Sequence, residues 1–294
     1  MKPAPFEYYA PPTVEETCQL LRQYGEDAKV LAGGQSLMPL MSLRLARPAV
    51  VIDINRIAGL DSITTGPGDS LRIGALTRQR AVERSALVRE RNPLLASAVP
   101  LIGHFQIRNR GTIGGSLVHA HPAAELSAVS VAVGAELVLK SIGGERTINA
   151  EDFFLGYMST ATEAGELLTE LRMPDWKRGT GWAIEEIARR QGDFALAGIA
   201  LTLKADEKIT CRECRIVHFG VNSKPTRALK AEGALQGTKL ERKALADVAR
   251  VVSEELDPSS DIHASADYRR EVAGVLTRRA LEAALAKATE QRRS

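Results

Sequence analysis

The sequence predicts an α+β protein of two domains, and three observations support this fold class. The chain has 294 residues, which exceeds the usual size of a single domain. Strand-like and helical patterns are mixed before residue 174, whereas a run of strands followed by a run of helices comes after residue 181. A polar stretch with two glycines lies between them, at 174–181. We therefore predict an N-terminal domain at 1–176, with lobes at about 1–56 and 57–176, and a C-terminal domain at 177–294.

The first helix of the N-terminal domain is predicted over 13–24. Thr13 can cap it, two glutamates suit its first turn, apolar residues recur at helical spacing, and Gly25 ends it. Cys18 falls on the apolar face, so we expect a buried structural thiol.

Further elements follow from the same signals. In the N-terminal domain we predict strands at 29–31, 50–54, 70–75, 136–141 and 166–173, helices at 77–85, 92–103 and 126–133, a hairpin connection at 142–145 and a short helical turn at 152–154. In the C-terminal domain we predict strands at 182–188, 194–204 and 209–221, and helices at 225–235, 240–256 and from 268 onward. That order predicts helices lying on one antiparallel sheet.

The composition excludes several classes of function. Hydrophobic residues make up 44% and charged residues 26%, as in an ordinary soluble globular protein. The net charge is only +3, and aromatic residues make up 4% with no basic-aromatic patch, so we expect no nucleic-acid partner. No apolar run approaches the roughly 18 residues of a membrane span. The N-terminus lacks the apolar core of a secretory signal, and three cysteines suggest no disulfide framework, so we expect a cytoplasmic protein.

Two glycine loops are the strongest functional signal. The first, Ala32-Gly33-Gly34-Gln35-Ser36-Leu37, follows a strand and precedes an apolar stripe that predicts a helix as far as Leu45. The second, Thr112-Ile113-Gly114-Gly115-Ser116, repeats the glycine pair and the hydroxyl. Glycine pairs let backbone N–H groups turn toward an anion, so we expect the loops to act as two jaws on a diphosphate. The spacing matches neither G-x-G-x-x-G nor a P-loop, so neither a Rossmann fold nor an NTPase is supported.

At these loops the sequence resembles a known family, the FAD-binding medium subunits of molybdenum hydroxylases. The family includes the flavoprotein subunits of carbon monoxide dehydrogenase and of aldehyde, N-heterocycle and xanthine dehydrogenases. The resemblance extends over nearly the whole chain through AGGQSLMPLMSLRLARP, VIDINRI, IGALT, QIRNRGTIGGSL, EDFFLGY, ELLTELRMP and SADYRREVAGVLTRRAL. It implies a vanillyl-alcohol-oxidase (PCMH) type FAD-binding fold, a C-terminal α+β domain of the carbon monoxide dehydrogenase flavoprotein kind, and noncovalent FAD.

The resemblance also implies which residues contact FAD. Both glycine loops would bind the diphosphate through Ala32, Gly33, Gly34, Gln35, Ser36, Leu37, Thr112, Ile113, Gly114, Gly115 and Ser116. Further contacts would come from Ile102, His119, Glu125, Thr162 and Phe194. Glu125 stands where the family usually has an aspartate that bonds the ribose or adenine portion. Phe194 takes a place often held by tyrosine, so a stacking role is retained and a hydrogen bond is lost.

Histidines and cysteines leave alternatives open. His104 and His121 stand where relatives often carry aspartate. His119 and His121 could suggest a metal pair or covalently linked flavin, but we favour residues that line a polar cleft, because no third ligand is near in sequence. An iron–sulfur site would need about four ligands, whereas Cys211 and Cys214 stand alone in a strand-like run and would face opposite ways. We predict structural thiols and no metal site on this chain.

By resemblance, the protein is expected to be an electron-transfer subunit of an oxidoreductase. A large partner subunit with a molybdenum cofactor would oxidise the substrate, and a small partner subunit with two [2Fe-2S] clusters would reduce this FAD. The flavin would then reduce NAD, a quinone or oxygen, within a dimer of heterotrimers. Two alternatives stay open: a self-sufficient FAD-dependent oxidoreductase acting on a small molecule, with His119 as the best base, and a non-catalytic nucleotide-binding assembly protein.

Overall fold

A small parallel sheet forms the first lobe. The computed structural model describes residues 2–293. Its first sheet has the order β1-β3-β2, with all neighbours parallel. Its strands and helices are β1 (Glu7–Tyr9), α1 (Val14–Tyr24), β2 (Ala28–Leu31), α2 (Leu37–Ser42) and β3 (Val50–Asp53). The Thr13 hydroxyl accepts from the Glu16 N–H at 3.1 Å and caps α1, and Cys18 is buried, so both predictions for this helix are confirmed.

The second lobe is a five-stranded antiparallel sheet with helices on it. Its order is β4-β5-β10-β6-β7. Its strands are β4 (Ile63–Thr65), β5 (Leu71–Gly74), β6 (Glu136–Ser141), β7 (Gly144–Asn149) and β10 (Leu167–Met173). Between β5 and β6 lie α3 (Gln79–Arg84), α4 (Ala86–Arg91), α5 (Pro93–Ala98), α6 (Phe105–Arg110), α7 (Ile113–His119) and α8 (Glu125–Val133). A short helix α9 (Ala150–Phe153) and the hairpin of β8 (Phe154–Gly156) and β9 (Ser159–Thr160) precede β10.

The third sheet is antiparallel and carries helices on one face, as the sequence predicts. Its order is β11-β12-β13-β14. The strands are β11 (Gly181–Ala188), β12 (Ala195–Ala205), β13 (Cys211–Phe219) and β14 (Thr226–Arg227). The helices α10 (Leu229–Leu235), α11 (Arg242–Glu255) and α12 (Ala266–Arg293) follow. Together the three sheets confirm the mixed α+β class.

Helix α8 joins the second and third sheets. All its residues from Leu126 to Ala132 are buried, as expected of a helix that is apolar on every side. One apolar core contains residues of both sheets, such as Leu139 of β6 and Phe219 of β13. The Thr202 hydroxyl of β12 also donates to the Ala132 carbonyl at 3.3 Å. The other face of the third sheet packs against α10, α11 and α12 in a separate core.

Three predictions of helices are wrong in part. The helix expected over 225–235 begins at Leu229, because Thr226–Arg227 pairs with β13 as strand β14. The helix expected to reach Leu45 ends at Ser42, because Arg44 adopts a left-handed conformation with φ 58°, and Leu45 is 74% exposed. The helix expected over 92–103 is α5 followed by a 3₁₀ turn at Val99–Leu101, since Pro100 has no N–H to continue it.

The expectation that Cys211 and Cys214 face opposite ways is also wrong. A β-bulge at Arg212 inserts one extra residue opposite β12, between the pairs Lys204–Glu213 and Ala205–Cys211. The alternation of sides is therefore shifted, and both cysteines lie in the core of the C-terminal domain. A hydrogen bond from the Cys214 thiol holds the pKa of Cys211 below its ordinary value. All three cysteines are free thiols.

No helix within residues 2–293 is long and apolar enough to cross a membrane.

Candidate functional site

The two glycine loops lie in direct contact. A Cβ placed on Gly33 would overlap the carbonyl oxygen of Arg110 and lie 2.9 Å from the Cα of Gly111, just before the second loop. A Cβ placed on Gly115 would lie 3.7 Å from the Cβ of Ala32. Glycine at position 33 is thus required by the close approach of two backbones. The structure therefore brings together the two glycine loops that the sequence predicts to bind one ligand.

The first loop has open backbone donors. Within residues 2–293, no hydrogen bond uses the N–H groups of Gly33, Gly34, Gln35 or Ser36. The Ser36 hydroxyl likewise has no partner in this part of the chain. Gly34 adopts φ +73°, a left-handed conformation that favours glycine. Successive unpaired N–H groups in such a turn form a concave site for an anion.

The second loop differs because its backbone donors from Ile113 to Ser116 are already used. Ile113 N–H donates to the Thr77 carbonyl at 3.0 Å, and Gly114 N–H to the Ala75 carbonyl at 2.8 Å. Gly115 N–H donates to the Thr112 hydroxyl at 3.1 Å. The Thr112 hydroxyl keeps its own hydrogen, and no bond in the described chain uses the Ser116 hydroxyl. This loop can therefore offer hydroxyl donors to a ligand.

Gly114 allows helix α7 to pack closely on its neighbour. A Cβ there would lie 2.5 Å from the Cβ of Ala75 and 2.9 Å from its carbonyl oxygen, so only glycine lets α7 pack this closely on the chain after β5. Gly115 is exposed and faces the first loop.

A hydrogen-bonded bridge that the sequence does not predict lies behind the loops. Asn55 Nδ2 donates to the Ala32 carbonyl at 2.8 Å. Arg78 Nη2 donates to Asn55 Oδ1 at 2.7 Å, and Arg78 Nη1 to the Arg110 carbonyl at 2.5 Å. Asn55 lies in VIDINRI, a motif of the resemblance, but no sequence signal connects it with Arg78.

Two histidines at the end of α7 lie beside aromatic residues of the β8–β9 hairpin and of the turn before β12. The rings of His121 and Phe194 stack with centroids 4.0 Å apart and planes at 19°. His119 and Tyr157 lie farther out, each with its ring centroid 6.3 Å from that of His121. Phe194 is 65% exposed. Its ring therefore has one face against His121 and much of its surface open to solvent, and its stacking on FAD stays a prediction.

Burial favours the neutral form of both histidines. Burial lowers the pKa of His121 to about 4, with a contribution from His119, and burial also lowers the pKa of His119. His121 Nδ1 accepts from the Ala123 N–H at 3.2 Å, which fixes the tautomer with hydrogen on Nε2. No group of three or more His, Cys, Asp or Glu residues within 2–293 is arranged to hold a metal ion.

His104 meets the C-terminal domain. A Cβ on Gly192, in the turn between β11 and β12, would lie 2.7 Å from His104 Cε1. Gly192 adopts φ +87°, so the turn places glycine directly against the imidazole ring. The β11–β12 turn thus covers this edge of the N-terminal domain.

Two half-buried carboxyl groups, those of Glu125 and Glu186, have raised pKa values. Glu125 begins α8, and its burial raises its pKa to about 8, with a further contribution from the charge of Glu186. Burial also raises the pKa of Glu186 to about 7, and its Oε2 has no hydrogen-bond partner within residues 2–293. A protonated carboxyl can both donate and accept, which suits the hydroxyls of a ribose. The sequence indicates Glu125 through the resemblance but carries no signal for Glu186.

The remaining predicted contacts lie at the edges of the site. The Ile102 carbonyl accepts from Arg108 Nη1 at 2.9 Å, and Arg108 also pairs with Glu83 at 2.9 Å, so this buried arginine fixes the turn before α6. Thr162 follows β9, which contacts α7. Its hydroxyl accepts from Thr160 at 3.0 Å, and no bond within 2–293 connects it to either glycine loop.

Comparison with known proteins identifies the family of the chain. The family model for the FAD binding domain in molybdopterin dehydrogenase matches residues 4–176, and that for the CO dehydrogenase flavoprotein C-terminal domain matches residues 182–284. The medium chain of carbon monoxide dehydrogenase from Hydrogenophaga pseudoflava is 43% identical over 98% of this chain and 99% of its own.

A further relative and a solved structure are similar over nearly their full length. Subunit alpha of the 6-hydroxypseudooxynicotine dehydrogenase complex from Paenarthrobacter nicotinovorans is 39% identical over 100% of this chain and 99% of its own. The solved carbon monoxide dehydrogenase from Hydrogenophaga pseudoflava that lacks the Mo-pyranopterin moiety matches with a TM-score of 0.94 and 42% identity, covering 98% of this chain and 99% of that one. FAD is thus the cofactor of the N-terminal domain, and the chain belongs to the family of FAD-binding medium subunits of molybdopterin dehydrogenases, which are oxidoreductases.

Proposed function

We propose that this subunit transfers electrons from the [2Fe-2S] clusters of a small partner subunit to an external acceptor, through FAD bound at the two glycine loops. The observation that carries the proposal is the contact between the loops, one of which offers four unpaired backbone donors. FAD, when bound, supplies the redox centre, and the chain supplies binding and orientation.

We assign a group of the chain to each part of the cofactor. The amides of Gly33 to Ser36 would hold the diphosphate, assisted by the hydroxyls of Thr112 and Ser116. The carboxyl of Glu125 would bond the ribose or adenine portion. Phe194 would stack near the ring system. The chemistry of the loop supports this assignment, because a diphosphate is recognised by several fixed N–H donors.

The proposed complex contains two copies each of three chains. The relatives are a medium chain and a complex subunit, which supports separate partner subunits for this chain as well. A large subunit with a molybdenum cofactor would oxidise the substrate and therefore determine its identity. With three free thiols, we place the complex in the cytoplasm. The division of the chain at residue 176 is part of the same proposal, and limited proteolysis between 174 and 181 would test it.

A reduction experiment on the purified chain tests the transfer role. Reduced [2Fe-2S] partner should bleach the flavin absorbance rapidly. Aldehydes, purines, N-heterocycles or carbon monoxide added to the isolated chain should leave it unchanged. Bleaching by one of these substrates would favour the self-sufficient oxidoreductase. A purified chain that neither is yellow nor takes up FAD would favour the nucleotide-binding assembly protein.

We also propose that FAD is bound noncovalently. His121 Nδ1 is engaged by the Ala123 N–H, which leaves that nitrogen unavailable for a bond to the flavin. Acid precipitation should release the yellow colour into the supernatant. Flavin fluorescence that stays with the chain on a denaturing gel would contradict this.

A further inference from the structure

We propose that Asn55 and Arg78 are positioning residues for FAD, because together they tie the two glycine loops to each other at a fixed distance. This inference rests on the proposed assignment of both loops to the diphosphate. Neither side chain belongs to a loop, and neither is among the FAD contacts that the resemblance implies.

Asn55 binds the backbone of the first loop. Its Nδ2 donates to the Ala32 carbonyl at 2.8 Å and to Asp53 Oδ1 at 2.6 Å, and its backbone N–H donates to the same carboxylate at 2.9 Å. The Tyr8 hydroxyl donates to Asp53 Oδ2 at 2.7 Å. Asp53 therefore orients the amide so that its Oδ1 faces Arg78.

Arg78 extends the bridge to the second loop. One arm of its guanidinium donates to Asn55 Oδ1 at 2.7 Å and the other to the Arg110 carbonyl at 2.5 Å. Its backbone pairs with Thr112, and the neighbouring Gln79 N–H donates to the Gly111 carbonyl at 2.9 Å. A planar fork that reaches two acceptors in fixed directions is a property of arginine that lysine lacks.

The bridge also brings a positive charge close to both loops. Burial lowers the pKa of Arg78, and Arg110 contributes to the lowering, while Asp53 and Asp61 oppose it. Arginine still remains protonated in proteins. Within residues 2–293 the direct partners of the guanidinium are neutral oxygens, so its charge is not cancelled by an ion pair. The charge therefore favours an anion between the loops.

Loss of the bridge should change ligand binding more than folding. The close packing of Gly33 on Arg110 and Gly111 remains when the side chain of residue 78 is shortened. What is lost is the fixed spacing between the first loop's amides and the second loop's hydroxyls. A ligand that spans both loops needs this spacing, whereas a ligand without phosphates does not.

The test compares Arg78→Met, Arg78→Lys and Asn55→Ala in the flavin-free full-length chain. Arg89→Met is the matched control, because Arg89 also donates to a backbone carbonyl but is exposed on α4. Fluorescence titrations measure the Kd of FAD and of riboflavin, and competition with FAD measures the Kd of ADP. Thermal unfolding shows whether each variant is folded. We expect Arg78→Met to weaken the binding of FAD and of ADP by about 10- to 100-fold, because hydrogen bonds from a charged donor are lost. Arg78→Lys should fall between Arg78→Met and wild type, and riboflavin should bind as in the wild type.

Three outcomes would overturn the inference. The first is an FAD affinity of Arg78→Met and Asn55→Ala that equals the affinity of Arg89→Met. An equal loss for FAD and riboflavin is the second, since it would indicate a merely structural role. If Arg78→Met fails to fold, Arg78→Lys and Asn55→Ala provide the test instead. The third contradicting outcome is then an ADP affinity equal to that of the wild type in both variants. A failure of the loop assignment is recognised separately, by FAD binding that survives Gly34→Val.

Discussion

The two glycine loops have similar sequences and different physical roles. In the first loop the amides of Gly33 to Ser36 have no partner in the described chain, and Gly34 takes a left-handed conformation. In the second loop the amides of Ile113 to Ser116 are bonded to the protein, and Gly114 is glycine because α7 packs on Ala75. A glycine pair can thus mark either an open anion site or a close packing contact. The difference predicts that equivalent substitutions will harm binding in one loop and stability in the other.

Gly34→Val should give the largest effect on binding. Valine disfavours φ +73°, and its Cβ would lie 3.2 Å from Met38 Cγ and 3.3 Å from Leu31 Cδ1, so the open amides should lose their arrangement. We expect FAD affinity to fall by about 100-fold, as when two or more hydrogen bonds are lost. A fluorescence titration of the flavin-free chain measures it.

Gly59→Val is the matched control for that substitution. Gly59 has φ +83°, and a Cβ placed on it would meet no atom within 4 Å, so the variant carries similar backbone strain far from any contact. It should lose some stability and keep its FAD affinity. Equal affinity in the two variants would remove the first loop from the binding site.

Gly114→Ala should chiefly reduce stability. Its Cβ would overlap Ala75, and overpacking of this kind costs about 1–3 kcal/mol of unfolding free energy. FAD affinity should change less than in Gly34→Val. Thermal unfolding with and without FAD measures both quantities.

The control for Gly114→Ala is Gly233→Ala in α10. Both glycines lie inside helices, but a Cβ on Gly233 meets nothing within 4 Å. Alanine there should be neutral or stabilising, because it has the higher helix propensity. The proposed difference between the loops would be contradicted if Gly114→Ala were as stable as Gly233→Ala and lost as much FAD affinity as Gly34→Val.

A smaller effect is expected at Glu125, which lies beyond the second loop. Its pKa of about 8 in the folded chain is above its ordinary value of 4.5. The folded state therefore holds the proton more tightly than the unfolded state, and stability falls as the pH rises from about 4.5 toward 8. Glu125→Gln removes this loss, so the flavin-free variant should exceed the wild type by about 3 °C or more in Tm at pH 8.5.

Well below pH 4.5, Glu125→Gln and the wild type should have similar Tm values, since the wild-type carboxyl is then largely protonated in both states. Glu90→Gln is the control, because the Glu90 side chain is 70% exposed. A Tm advantage of Glu125→Gln that does not grow with pH would show that the buried carboxyl does not titrate as stated.

The sequence predicts the local features of the site better than its long-range contacts. Thr13, Gly25 and the two glycine pairs are visible because caps, turns and close approaches depend on a few neighbouring residues. The bridge from Asn55 through Arg78 to Arg110 joins residues distant in sequence, and polar residues of these types are usually solvated. The bulge at Arg212 and the early end of α2 at Ser42 are not predicted, because tertiary contacts override periodicity there.

Single-residue amide hydrogen exchange, measured with and without FAD, tests most directly whether the first loop is the open half of the diphosphate site. Without FAD, the amides of Gly33 to Ser36 should exchange rapidly, while those of Ile113 to Ser116 should be protected by the bonds that they already make. FAD should slow exchange strongly at 33–36 and change it little at 113–116. Exchange at 33–36 that is the same with and without FAD, together with new protection at 113–116, would contradict the assignment and exchange the roles of the two loops.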